Sequence, residues 1–182
     1  MQALLQSQGI HHITLNGADR KTSVGFWQDI LGMKLIFEQQ NLDDETETHL
    51  YFDCGDGRTM TVFTNESRAG KVEPLDTSVG SVHHVAFWVS QSTIRVAEKK
   101  LKERGIGSSG IKDRGFMDSI YFRDPLGLLI ELASYKFEPP LGYTYGQVLE
   151  NSHKLRLSRG AKNIEDEDIS NALISLGKRR NP

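Results

Sequence analysis

The chain has 182 residues, 37% of them hydrophobic and 25% charged, with a formal charge of −2. This composition suits one soluble globular domain, with room for an appendage, and favours neither nucleic acid nor an anionic membrane as a partner. The one cysteine, Cys54, excludes an intrachain disulfide and fits a reducing cytoplasm.

The opening Met-Gln-Ala-Leu-Leu-Gln-Ser-Gln lacks the basic and apolar regions of a signal peptide. No apolar run approaches the ~20 residues of a membrane span, so the expected location is the cytoplasm. Gly9 to Leu15 is a short β-branched run and predicts a strand. Residues 18 to 31 carry helical spacing, with Trp27, Ile30 and Leu31 on one face and Gly32 as the stop. Strands are expected over Met33–Gln39, Thr48–Asp53 and Thr59–Thr64. Residues 65 to 80 read as a linker. The pattern then begins again. Ser81 to Val89 predicts a strand, and Gln91 to Arg104 a helix with Ile94, Ala97 and Leu101 on one face. A loop rich in Gly and Ser leads into residues 114 to 131, which read as two strands joined by the Asp124-Pro125-Leu126-Gly127 turn.

The two halves superimpose. His11-His12 maps onto His83-His84 and Gly57 onto Gly127, so the chain carries two copies of a β-α-β-β-β unit. Paired, the units predict an α+β fold with a curved eight-stranded sheet around a cup. The domain is expected over residues 1–136, with modules 9–64 and 81–135. A C-terminal helical extension is expected over 137–182.

Side chains alternate along a strand. His12 shares a face with Ile10 and Thr14, and His84 shares one with Ala86 and Trp88. Glu131 is the lone carboxylate in an otherwise apolar strand, opposite the face of Leu128, Ile130 and Leu132. An unpaired buried charge costs several kcal/mol, so Glu131 needs a cation. A surface position or a partner such as Arg114 or Arg123 would serve. Two imidazoles and one carboxylate on equivalent strand faces would instead hold a divalent metal, as in the facial triad of non-haem iron centres.

These residues resemble the vicinal oxygen chelate superfamily, which includes glyoxalase I, bleomycin-resistance proteins and extradiol dioxygenases. The resemblance covers about residues 9 to 135. It is nearest to the ring-cleaving dioxygenases of the hydroquinone type. Their pattern is matched by His11-His12-Ile13-Thr14, His83-His84, Arg114-Gly115-Phe116, Tyr121, Pro125, Gly127 and Glu131. The resemblance implies metal ligation by His12, His84 and Glu131, with Tyr121 and Arg114 as active-site residues. It also implies a nearby role for His11, which simple alternation puts on the other face unless the strand bulges. The hydroquinone enzymes have four modules, and this chain has two. Glyoxalase I adds a carboxylate ligand in its first module, where this chain has Thr61.

The expected activity is that of an Fe(II)-dependent extradiol-type dioxygenase, with Mn or Zn as alternative metals. Its expected partners are O2 and a small aromatic or oxygen-chelating substrate. The alternatives are a glyoxalase-like lyase or isomerase, and a non-enzymatic small-molecule-binding protein of the same fold. In the extension, residues 146 to 158 predict one helix. Residues 166 to 176 predict a second, with Ile169, Ala172, Leu173 and Leu176 as an apolar stripe and acids and bases placed to suit the helix dipole. The stripe could cover the barrel, close the cup or join a homodimer.

Overall fold

The computed structural model describes residues 5, 7–68, 74–76 and 78–178. The basic residues Arg179 and Arg180, expected to favour the last helix C-terminus, lie outside the described residues, as do parts of the N-terminus and of the linker.

The elements are β1 (His12–Asn16), α1 (Arg20–Val24), a π-helical turn (Gly25–Ile30), β2 (Lys34–Gln40), β3 (Thr48–Asp53) and β4 (Thr59–Thr64). The second half follows with β5 (Val85–Trp88), α2 (Gln91–Glu103), β6 (Ser108–Asp113), β7 (Met117–Arg123), β8 (Leu129–Tyr135), α3 (Tyr145–Ser158) and α4 (Asp166–Lys178). The strands form two four-stranded sheets, ordered β1-β4-β3-β2 and β5-β8-β7-β6. In each sheet the first strand of the module runs parallel to the last. This is an α+β protein of paired βαβββ modules with a helical C-terminal extension. By contact the chain forms two compact units. One comprises the chain up to His83 with Arg123–Leu129, and the other comprises His84–Phe122 and the chain from Ile130 onward.

In the first unit, Leu50 pairs with Val62 and Phe52 with Met60 across β3 and β4. All four are essentially inaccessible and form the core with Phe26 and Trp27. Asp19 caps α1 by accepting from the Thr22 amide at 2.8 Å. The expected helix over 18–31 divides after Val24 into a π-helical turn. That turn buries Phe26 beside Trp27 and leaves Ile30 and Leu31 only partly covered, because it rotates the apolar stripe away from 3.6-residue spacing.

In the second unit, α2 buries Ile94, Ala97 and Leu101, as its spacing predicts. Ser90 caps it, accepting from the Thr93 amide at 3.1 Å. Ile120, Phe122, Ile130 and Leu132 are buried. The stretch read as a loop before residue 114 contains β6. Its sequence Ser-Ser-Gly-Ile-Lys-Asp offers almost no alternating apolar face, because β6 is an edge strand with most side chains exposed. A register shift between Ser108 and Ile111, with Gly110 at φ +66°, weakens the pattern further.

The extension folds onto this second unit. Ile169, Ala172 and Leu176 of α4 pack with Val148 of α3 and Phe137, and Leu173, Phe116, Tyr135 and Tyr145 add partly buried surface. Thr144 and Gln147 form a reciprocal capping box at the start of α3. Arg159 donates to both carboxylate oxygens of the buried Asp168 at 3.0 and 2.7 Å. Asp168 also accepts from the Glu165 amide at 3.0 Å, closing the turn between the two helices.

Candidate metal centre and ring pocket

The β7–β8 hairpin sets the geometry around Glu131. Lys136 donates its amide to the Phe116 carbonyl at 3.0 Å. These two residues are equidistant in sequence from Leu126, which puts Tyr121 opposite Glu131 and Met117 opposite Tyr135. The turn itself is fixed by Asp124, whose Oδ1 accepts from the Leu126 and Leu128 amides at 2.9 and 2.8 Å. Burial raises the pKa of Asp124 against the opposing effect of these backbone bonds.

Glu131 is 3% exposed. Its Oε1 accepts from the Tyr121 hydroxyl at 3.0 Å, and its Oε2 lies 2.9 Å from His84 Nε2. Neither arginine proposed as a bland partner pairs with it. Arg123 donates to the Gly127 carbonyl at 2.5 Å, and Arg114 reaches the Tyr121 hydroxyl at 3.4 Å. The Arg114 guanidinium carbon also lies 5.6 Å from the centre of the Tyr121 ring, within cation–π range. Asp113 holds the Arg114 turn by accepting from the Gly115 amide at 2.7 Å. Arg114, Tyr121, Glu131 and His84 therefore form one connected polar chain within the second unit.

His84 precedes β5, and its parity partners Ala86 and Trp88 are exposed while Val85 is buried. Ala86 is the register partner of Glu131. A cavity of about 240 Å³ opens over this face, lined by Ala86, Phe87, Trp88, Met117, Ala133 and Tyr135, with Glu131 among them.

The corresponding face of the first unit carries His12, Thr14 and Asn16 on β1. The register pairs Thr14 with Thr61, just as it pairs Ala86 with Glu131. Since Thr14 and Ala86 share the offset that relates His12 to His84, Thr61 is the counterpart of Glu131. The Thr61 hydroxyl donates to Thr14 Oγ1 at 2.8 Å. His11 lies just before β1, outside the alternation that would turn it away. Its Nδ1 is 2.8 Å from His12 Nδ1, so one ring donates and the other accepts. With His12 donating, its Nε2 keeps a lone pair for a ligand.

Sequence reasoning missed His49 and Tyr51. They lie on the face of β3 opposite Leu50 and Phe52, and only this alternation signals them. The Tyr51 hydroxyl is 3.1 Å from His49 Nδ1, and the His49 ring lies 4.3 Å from those of both Tyr51 and Phe63, tilted by 41° and 45°. Burial first, then the charge of His12, lowers the His49 pKa and keeps the ring neutral.

The second unit fits a divalent cation by its chemistry. Two donors about 2.1 Å from one ion and at right angles lie about 3 Å apart, which is the separation of His84 Nε2 and Glu131 Oε2. A buried carboxylate whose partners among the described residues are a histidine and a phenol also calls for further positive charge. Among the described residues no three His, Cys, Asp or Glu side chains gather into a metal cage. The pair His84–Glu131 is what one unit provides by itself, and His12 belongs to the other.

Residues 9–132 match the model of the Glyoxalase/Bleomycin resistance protein/Dioxygenase superfamily, and the chain belongs to that superfamily. Its members are mostly enzymes that act on small molecules and bind divalent metals. The chain is 28% identical over 143 residues to "Putative ring-cleaving dioxygenase MhqO" of Bacillus subtilis, covering 79% of this chain and 45% of that protein. It thus spans less than half the length of that relative. It is 31% identical over 138 residues to Metallothiol transferase FosB of Staphylococcus haemolyticus, covering 75% of this chain and 90% of that one. The fold is shared with the fosfomycin resistance protein FosX of Listeria monocytogenes, solved with Mn(II) and 1S,2S-dihydroxypropylphosphonic acid. The TM-score is 0.55 at 21% identity, over 79% of this chain and 99% of that one. Among the described residues no helix is long and apolar enough to cross a membrane.

Proposed function

We propose that the protein is an Fe(II)-dependent extradiol-type dioxygenase that cleaves a hydroxylated aromatic ring, with His12, His84 and Glu131 as ligands. The observation that carries this reading is Glu131. It is buried, engaged by His84 and Tyr121, paired with no arginine or lysine among the described residues, and placed at a cavity walled by Trp88 and Tyr135. Held by these three side chains, a ferrous ion supplies the chemistry that joins O2 to an electron-rich ring.

The protein's own groups do the rest. Trp88 and Tyr135 offer flat apolar surface to the ring, with Met117 beside them. A cavity of about 150 Å³ already holds benzene, so the observed volume suits a single ring. Tyr121 is placed to take or return the proton of a ring hydroxyl. Arg114, joined to that hydroxyl, lends positive charge as negative charge develops on the substrate. Both atoms of O2 enter the product as a ring C–C bond breaks, so no external reductant is consumed. Thr61, standing where glyoxalase I has a fourth ligand, a carboxylate, would leave that position open to ligands other than protein.

The similarity to FosB over most of its length supports a second reading, a metal-dependent transferase. The phosphonate in the FosX complex is an anion that calls for several cations around it, whereas among the described residues the lining of the cavity beside Glu131 includes no lysine or arginine and Arg114 connects to the site through the Tyr121 hydroxyl. The dioxygenase reading fits that apolar wall better. The test is anaerobic metal analysis followed by oxygen uptake with catechols and hydroquinones. Stoichiometric iron and oxygen consumption with ring-opened product support the proposal. Metal without oxygen uptake across the panel transfers it to the lyase, isomerase or transferase class. Absence of any metal leaves a binding protein.

A further inference from the structure

We infer that the C-terminal extension buttresses the aromatic wall of the Glu131 cavity from behind, and that Tyr145 is the positioning residue holding Trp88 and Tyr135 for a planar ring. The identity of the ligand as a planar phenolic ring rests on the function proposed above. The role of Tyr145 rests on geometry alone.

The Tyr145 ring stacks on Tyr135 with centroids 4.3 Å apart and planes 13° apart. It also meets the edge of Trp88 at 5.4 Å and 70°. Trp88 and Tyr135 line the cavity together with Phe87, and Tyr145 touches the first two. Trp88 is 68% exposed, at the end of a short strand. The Tyr135 backbone is anchored because Gln91 Nε2 donates to the Ser134 and Tyr135 carbonyls at 3.2 and 3.3 Å. Its ring, however, has Tyr145 and Phe137 as its close neighbours from beyond the strand.

Tyr145 is itself fixed from three directions. It is the first residue of α3, directly after the Thr144–Gln147 capping box. Its hydroxyl donates to Glu138 Oε2 at 2.7 Å. Its helix is clamped by the core that Val148 shares with Ile169, Ala172 and Leu176. An unbroken line of packing therefore runs from α4 through α3 and Tyr145 to the two rings that line the cavity. This answers what the apolar stripe of α4 is for. It holds α3, and α3 holds the wall. Aromatic pairs of this geometry stabilise by enough to change an affinity about 2- to 10-fold each.

The chain has two tryptophans. Trp27 is buried in the first unit against Phe26, so Trp88 fluorescence reports on the cavity. The experiment titrates the purified metal-containing protein with hydroquinone under argon and follows tryptophan emission. Wild type, Tyr145→Ala, Tyr145→Phe and Trp88→Phe are compared, with far-ultraviolet circular dichroism of each as a check on helix content. Saturable quenching is expected in the wild type and lost in Trp88→Phe. Tyr145→Phe should bind within about 2-fold of wild type, and Tyr145→Ala about 5- to 20-fold more weakly. Steady-state oxygen uptake should show the same loss in KM, with kcat nearly kept.

Unchanged affinity in Tyr145→Ala overturns the inference, as does a Tyr145→Phe variant as weak as Tyr145→Ala, or a wild type without saturable quenching. Loss of helix content in Tyr145→Ala is met by a second variant, Trp88→Ala, whose exposed side chain is not needed for folding and whose affinity for hydroquinone is read against wild type by calorimetry under argon, because its emission no longer reports on the cavity. The same weakening there supports the wall, and unchanged affinity overturns it. Quenching that behaves as expected without oxygen uptake sinks the dioxygenase reading and leaves the wall standing. Normal oxygen uptake with no effect of Tyr145→Ala does the reverse.

Discussion

The hydroxyl of Tyr121 sits 3.0 Å from Oε1 of Glu131, while Oε2 of the same carboxylate lies 2.9 Å from His84. One buried acid thus links a residue suited to bind metal with a residue suited to move protons. Tyr121→Phe should keep the metal, since it removes no ligand, and should leave the ring packed as before. Ring cleavage should fall by about 10²–10⁴-fold, the range for loss of general acid–base help. Oxygen uptake of iron-loaded wild type and variant checks this. Equal rates would leave Tyr121 with a packing role only.

Glu131→Ala should lose the metal. The variant removes the only anionic donor of the proposed set, and metal content after purification should fall well below the one ion per chain expected of wild type. A Glu131→Ala protein with undiminished metal would show that the ion binds elsewhere. His11→Ala is the subtler companion. Its ring contacts His12 Nδ1 at 2.8 Å and fixes which nitrogen faces a ligand. Loss of such an outer partner typically weakens metal binding about 10- to 100-fold, and competition with a chelator measures it.

The repeat was legible because both modules keep their βαβββ order and strand registers. Parity put His84 and Glu131 on one face, and the structure brings these two together. Thr61 follows from the spacing that relates Gly57 to Gly127, and the strand register agrees that it is the counterpart of Glu131. The hairpin contact between Tyr121 and Glu131 was also within reach, because a tight turn at Leu126 fixes what lies opposite. What failed to show had physical causes. An exposed edge strand such as β6 has no buried face to write an alternation. A π-helical turn moves Phe26 into a position that 3.6-residue spacing assigns elsewhere. Cys54 is half-buried in the loop after β3, where its thiol pKa is raised chiefly by partial burial. The contacts of Tyr145 with Trp88 and Tyr135 depend on where the extension docks, and an amphipathic stripe specifies that something covers it without specifying what.

Asp124 offers a test by pH. Its carboxyl pKa is raised by burial. The folded state therefore prefers the protonated acid, relative to the unfolded chain. The resulting stability is fully present below the unfolded value of about 3.9 and is lost as the pH rises through the raised folded value. At neutral pH the buried charge is a net cost. Asp124→Asn keeps an oxygen that can accept from the Leu126 and Leu128 amides and removes that charge. It should be at least as stable as wild type at pH 7 and less dependent on pH through the acid range. Asp124→Ala should be destabilised at every pH, because both amides lose their acceptor. Urea melts at a series of pH values separate the cases. A less stable Asp124→Asn at pH 7 would show that the turn needs the carboxylate itself.

Deleting the chain from residue 160 onward should destabilise the protein strongly. The truncation removes Ile169, Ala172 and Leu176, which close the core over Val148 and Phe137. Burying an Ile or Leu side chain contributes about 1.5–3 kcal/mol, so Ile169 and Leu176 together account for about 3–6 kcal/mol. For a chain of this length that corresponds to a fall of roughly 10 °C in melting temperature. It also takes Asp168 away from Arg159 and loosens the end of α3, which carries Tyr145 at its other end. The truncated protein should therefore bind a phenolic ring more weakly before it unfolds, and not only melt earlier. Thermal melts, light scattering for mass and the fluorescence titration together read all three effects. A truncated chain with the melting temperature, mass and ring affinity of the full protein would mean that α4 supports nothing beyond itself.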